Sequence, residues 1–127
     1  SAAPSTAATP LRAAVVGLGW AGRQHMHGYV ACPDTDLVAV CGLETDVAAE
    51  LAGDLGVPAT YRTLDELLAA DHVDVVSIAT PTALHAPMAI TALDAGVHVL
   101  SEKPIAETPA RAAEMVAAAE RNGRVLD

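Results

Sequence analysis

The sequence contains no phenylalanine, one tryptophan and two tyrosines among 127 residues. A core made without large rings must come from Ala, Val and Leu, which favours helices packed closely on a sheet. Basic residues are also scarce: 7 Lys and Arg stand against 16 Asp and Glu, a formal charge of −9. Such a surface repels phosphate backbones, so no nucleic-acid partner is expected. The two cysteines, Cys32 and Cys41, make neither a C-x-x-C pair nor a zinc spacing. Each is read as a small buried hydrophobe, and no metal site is expected. This usage suits a reducing compartment, and a cytoplasmic location is the expectation. No apolar run approaches the roughly 20 residues of a membrane span, so no membrane partner is expected either. The opening SAAPSTAATP lacks the basic and apolar stretches of a signal peptide. It reads as a disordered tail over residues 1–10.

What is present is an alternation. Apolar residues make up 52 % of the chain, and from residue 11 onward short apolar runs alternate with helical patterns. Residues 13–16 form a run ended by glycines, a buried strand. A helix over residues 20–31 stops before Pro33. Residues 37–41 give a second strand. Thr45 is placed as the N-cap of a helix with Val47, Ala48, Leu51, Ala52 and Leu55 on one face, ended by Gly56 and Pro58. A short strand near Thr60 and Tyr61 precedes the capping-box pattern Thr63-Leu64-Asp65-Glu66. Residues 73–78 form a strand. Pro87 belongs in the first turn of a helix that starts near Ala86 and stops at Gly96. Residues 97–100 are a fifth strand. Thr108-Pro109 caps a last helix with Ala112, Met115, Val116 and Ala119 inward, closed by Gly123. Residues 124–126 begin a sixth strand. Repeated β-α order with apolar strands specifies an α/β class: a doubly wound, mostly parallel sheet of about six strands with helices on both faces, as one domain over residues 11–127.

The first strand runs into Gly17-Leu18-Gly19-Trp20-Ala21-Gly22, a G-x-G-x-x-G loop between a strand and a helix. Gly17 permits the tight turn, Gly19 lets backbone approach a pyrophosphate, and Gly22 lets the helix pack close to the strand. The free N–H groups of the helix start then face the anion. A plain tight turn needs one glycine, not three at this spacing. The acid expected about 20 residues later, at the end of the second strand, is missing. Gly42 stands there, and the nearest carboxylate is Glu44. Either Glu44 reaches back to the ribose or the 2′ position is open; an open position could tolerate NADP, but no Arg lies directly beside it to pair a phosphate. The cofactor expectation is therefore NAD or NADP.

Two further stretches end on the same edge. Residues 79–85, ATPTALH, follow the fourth strand. Thr80 and Thr82 can hydrogen-bond a cofactor, Pro81 stiffens the loop, and His85 stands near a helix start as a binding residue, a surface residue or a cap. Residues 100–106, LSEKPIA, follow the fifth strand and place Glu102 and Lys103 before Pro104. A lysine partly withdrawn from water there has a lowered pKa and can exchange a proton with a substrate hydroxyl. Glu102 would keep it charged or position it. The competing reading is a surface ion pair of little energetic consequence.

These motifs, VVGLGWAG with His25 following, VDVVSIATPTALH and AGVHVLSEKPIAET, resemble the N-terminal domain of the Gfo/Idh/MocA oxidoreductases. The resemblance implies a Rossmann domain whose glycine loop, Gly17, Leu18, Gly19, Trp20, Ala21 and Gly22, holds the pyrophosphate. It implies that Thr80, Pro81, Thr82 and His85 border the nucleotide and that Lys103 acts near the nicotinamide. It further implies hydride transfer to or from a sugar- or polyol-like small molecule, and it permits a homo-oligomer. Gly42 departs from the acid often found in this family, which leaves the choice between NAD and NADP open. The family normally continues into a substrate domain, and that domain is expected to be absent here. The rival reading is a non-catalytic dinucleotide-binding or interaction module.

Overall fold

A computed structural model describes residues 9–127. Most of the tail expected over residues 1–10 lies outside the described residues; Thr9 and Pro10 are exposed and irregular. Five strands alternate with five helices: β1 (Leu11–Val16), α1 (Trp20–Ala31), β2 (Thr35–Cys41), α2 (Thr45–Leu55), β3 (Ala59–Tyr61), α3 (Leu64–Ala70), β4 (Val75–Ile78), α4 (His85–Asp94), β5 (His98–Ser101) and α5 (Pro109–Asn122). The sheet runs β3-β2-β1-β4-β5, and every pairing is parallel. The chain winds outward from β1 to β3, then returns to the other side of β1. That reversal opens a crevice beyond the carboxyl ends of β1 and β4, where ligands bind in such sheets.

Two apolar layers cover the two faces. Alternation along β1 sends Ala14 and Val16 into one layer and Val15 into the other. In β2 the alternation breaks: Val38 and Ala39 share a layer. The cause is a register shift against β1, where Ala13 pairs with Leu37 but Ala14 pairs with Ala39. Met26 on α1 is fully buried in the layer shared with α2, and Leu67, Leu93 and Met115 in the layer under α3, α4 and α5. Burying each contributes about 1.5–3 kcal/mol before the entropy cost of ordering it. The small side chains expected to replace aromatics do so: Ala48, Ala89, Ala92 and Ala118 are at most 1 % exposed and let the helices approach closely.

The structure corrects several boundaries. Among the described residues there are five strands rather than about six. Residues 125–127 run beside β5 through backbone bonds Val99 N–H to Val125 O and Asp127 N–H to Val99 O, but only Leu126 bridges Val99. Thr45 is the first residue of α2 rather than its cap; Glu44 holds the cap position, with no side-chain bond to the helix. Thr63 and Thr108 do cap, accepting from the N–H of Glu66 at 3.2 Å and of Arg111 at 3.1 Å. On α5, Val116 is exposed and Ala118 takes its expected place inside. Cys41 is buried, and burial with the nearby Glu66 charge pushes its thiol up to about 12, so it stays protonated. Cys32 is half-buried, and both cysteines are free.

Candidate functional site

A cleft of about 720 Å³ opens at the crevice, with Gly17, Leu18, Gly19, Glu44, Thr80 and Pro81 in its wall. The three glycines of the loop answer to different demands. Gly17 has φ +118°, and a Cβ there would meet the Ala79 carbonyl oxygen at 2.4 Å. At Gly22 a Cβ would meet the Gly17 carbonyl oxygen at 2.0 Å. Both are required by the chain's own packing. Gly19 is different: its backbone is extended at φ −79°, and a Cβ would meet nothing within 4 Å. Nothing inside the protein demands a glycine there, and Gly19 is part of the cleft wall. The first turn of α1 leaves N–H groups without helical partners, since the first bond back to Gly19 O comes from Arg23.

Arg23 and Arg62 are cleft residues that the sequence reading missed. Arg23 donates from Nε to Leu18 O at 2.9 Å, which fixes its guanidinium beside the glycine loop. Arg62 follows β3. It is brought to the end of β2 because Gly42 N–H donates to Tyr61 O at 3.0 Å. So although no Arg adjoins Gly42 in sequence, one adjoins it in space. With Glu44 the only acid in the wall, the cleft carries two cations and one anion, inside a chain of net charge −9. This balance favours an anionic ligand. The glycine at position 42 also has a packing reason: a Cβ would lie 2.5 Å from Leu18 Cγ and Cδ1. A carboxylate there would have to displace Leu18 from the cleft floor.

Other expected site residues stand apart from the cleft wall. Trp20 is 78 % exposed at the start of α1. Ala21, Thr82, His85, Glu102 and Lys103 are not in the wall either. His85 is not a surface residue; it closes the 3-10 turn Thr82–Leu84 as its C-cap and is the first residue of α4, whose N-cap is Leu84. It is 1 % exposed, with Nδ1 2.9 Å from Pro104 O and Nε2 2.7 Å from Thr80 O. Glu102 does not pair with Lys103; its Oε2 lies 2.5 Å from His25 Nε2. Lys103 is exposed, not partly withdrawn from water, and makes no ion pair or hydrogen bond among the described residues.

The glycine cradle, the open side of Gly19, the free helix N–H groups and the two guanidiniums fit a dinucleotide pyrophosphate. The comparisons agree. The family model described as "Oxidoreductase family, NAD-binding Rossmann fold", that of Gfo/Idh/MocA, matches residues 11–127. D-glucoside 3-dehydrogenase of Escherichia coli is 39 % identical over 93 % of this chain and 34 % of that protein. The scyllo-inositol 2-dehydrogenase (NADP(+)) IolU of Bacillus subtilis is 34 % identical over 91 % of this chain and 35 % of its own length. The solved structure of GenD2 from gentamicin A biosynthesis, in complex with NAD, is 41 % identical with a TM-score of 0.87, covering 92 % of this chain and 33 % of that one. The chain thus spans about a third of the length of the curated relatives it matches.

Proposed function

The chain belongs to the Gfo/Idh/MocA oxidoreductase family through its NAD-binding Rossmann fold, and on that premise we propose that it works as the cofactor domain of a sugar or polyol dehydrogenase. NAD or NADP lies with its pyrophosphate across residues 17–22, held by the α1 N-terminus and by Arg23. Thr80 and Pro81 border the nucleotide, and Glu44 and Arg62 meet its adenosine ribose. When bound, the nicotinamide supplies the hydride donor or acceptor for a carbinol or carbonyl carbon. Lys103 holds or takes the proton of the substrate hydroxyl. A substrate domain closes the far wall and keeps water out. The relatives named above, a glucoside and an inositol dehydrogenase, support the substrate class. A cytoplasmic setting belongs to the same proposal and is supported by two free cysteines. Among the described residues no helix is long and apolar enough to cross a membrane.

The observation that carries this reading is Gly19, a cleft residue at which the fold does not need a glycine. Calorimetric titration with NADH, NADPH and S-adenosylmethionine tests it. The parent should bind at least one nicotinamide dinucleotide and not S-adenosylmethionine, and Gly19→Val should weaken that binding at least about tenfold, ~1.4 kcal/mol. Equal binding by parent and variant would displace the pyrophosphate from this loop.

A further inference from the structure

Lys103 is the only lysine in the chain. Among the described residues it has no partner, yet both of its neighbours are held. Before it, Glu102 donates its N–H to Ile78 O at 3.0 Å and places its carboxylate on His25. After it, the Pro104 carbonyl faces His85. We propose that His25 and His85 are positioning residues that clamp the Glu102–Lys103–Pro104 turn from two sides and so fix the direction of the free ammonium. The idea deepens the proposed function and rests on it for what Lys103 acts upon.

The hydrogen-bond chemistry on the first side is directional. A carboxylate only accepts, so His25 Nε2 donates to Glu102. In the neutral ring, which carries that one hydrogen, His25 Nδ1 accepts from the Ser77 hydroxyl, 2.9 Å away, and Ser77 Oγ accepts from the Tyr29 hydroxyl at 2.7 Å. Burial raises the Tyr29 phenol above its ordinary value, so it stays protonated. Every hydrogen in the chain Tyr29–Ser77–His25–Glu102 thus points toward Glu102. A serine, a histidine and a glutamate in series also describe a nucleophile triad. Ser77 rules that out here: it is 0 % exposed within β4, and its oxygen already accepts from Tyr29. The series therefore fixes geometry, joining α1, β4 and the end of β5.

On the second side His85 faces two carbonyl oxygens, Pro104 O and Thr80 O. A carbonyl oxygen only accepts, so each of these bonds uses an N–H of the His85 ring. His85 thereby ties the loop after β4, which borders the cleft at Thr80 and Pro81, to the turn that bears Lys103. His25 does the same from the helix that begins at the glycine loop. Both walls of the proposed cofactor site are thus connected to the residues on either side of Lys103.

The single lysine makes the test direct. In the 127-residue chain, ¹⁵N relaxation of the Lys103 amide reads its order, with Val99 in the middle of β5 as an internal control. The parent should show a Lys103 order parameter near the rigid value of about 0.85, and His25→Leu should drop it below about 0.6 while Val99 holds. His25→Gln, whose amide nitrogen can stand in for Nε2 toward Glu102, should restore the order. Should His25→Leu not fold, Glu102→Ala removes the same bond from a side chain that is 39 % exposed and should have the same effect. His85→Gln, keeping one donor, should lower the order partway. A Lys103 amide already below about 0.6 in the parent, or equally ordered in parent and His25→Leu, overturns the clamp. Addition of NADH to protein carrying ¹³Cε-lysine tests the underlying reading separately. If NADH does not bind or leaves the single lysine signal unmoved, the placement of Lys103 fails while the relaxation data still decide the clamp.

Discussion

Gly19 and Gly22 are one residue type three positions apart, and substitution should separate them. Gly22→Ala drives a Cβ to within 2.0 Å of the Gly17 carbonyl oxygen, and overpacking against backbone costs about 1–3 kcal/mol. A chemical denaturation curve should show that loss. Gly19→Val should lose no more than about 1 kcal/mol, the scale of a poorer N-cap, while its dinucleotide affinity falls. Arg62 supplies a second contrast. It enters the cleft near Gly42, which itself brings no carboxylate against a 2′-phosphate and leaves Glu44 as the one acid in the wall. Arg62→Ala should weaken NADPH about tenfold, ~1.4 kcal/mol, and NADH little, by competitive fluorescence titration. Equal weakening of both would place the guanidinium elsewhere, on a group the two cofactors share. The spacing of the glycines was legible in sequence because a turn and a helix start are local. Which glycine serves the fold and which the ligand was not, since that depends on Ala79 and on empty space.

At the scale of elements, caps and stops were largely readable. Thr63 and Thr108 cap as expected, and Gly56 and Gly123 end α2 and α5 in the left-handed region at φ +70° and +59°. Thr45 failed because the cap position is set by where the backbone leaves extended geometry, which here happens one residue earlier. The joint between α4 and α5 was invisible in sequence. Asp94, the last residue of α4, accepts from Asn122 at 2.7 Å and from Arg121 at 2.8 Å. The Asn122 hydrogen bond, with Arg121 beside it, holds the Asp94 carboxyl below its ordinary value of 3.8, against a smaller opposing effect of burial. A lowered value means stability that is present above 3.8 and lost as pH falls through the folded-state value. Asp94→Ala should therefore have a lower Tm than the parent near neutral pH, and the gap should close in strong acid. Because the groups are exposed, added salt should also narrow it. A gap independent of pH would mean that Asp94 acts through packing and not through charge.

For the whole molecule, the question is how much of a dehydrogenase these residues supply. The curated relatives matched are about three times as long. The domain alone should bind dinucleotide without turning over substrate. Grafted onto a substrate domain of the same family, residues 11–127 should support turnover, and Lys103→Met should lower it roughly 10²–10⁴-fold. Its Tm and cofactor affinity should barely move, because an exposed lysine without a partner contributes within about ±0.5 kcal/mol to stability. Equal turnover by the two chimaeras would remove Lys103 from the chemistry. Turnover by the lone domain would show that the proposed second wall is not needed.

The sequence by itself determined the β-α alternation, the parallel sheet, the glycine loop and the exclusion of an aromatic core. Each follows from interactions within a few residues: periodicity, φ locked by proline, φ freed by glycine. The tertiary structure alone decided who touches whom. Glu102 sits beside Lys103 in the chain, so a local reading pairs them, but its partner is His25, 77 residues away. Ser77 reaches His25 across 52 residues. Arg62 comes to the end of β2 only because β3 lies beside β2. Such pairings depend on strand order, and strand order is set by how two apolar layers close over a sheet, a property of the whole chain that no short stretch carries.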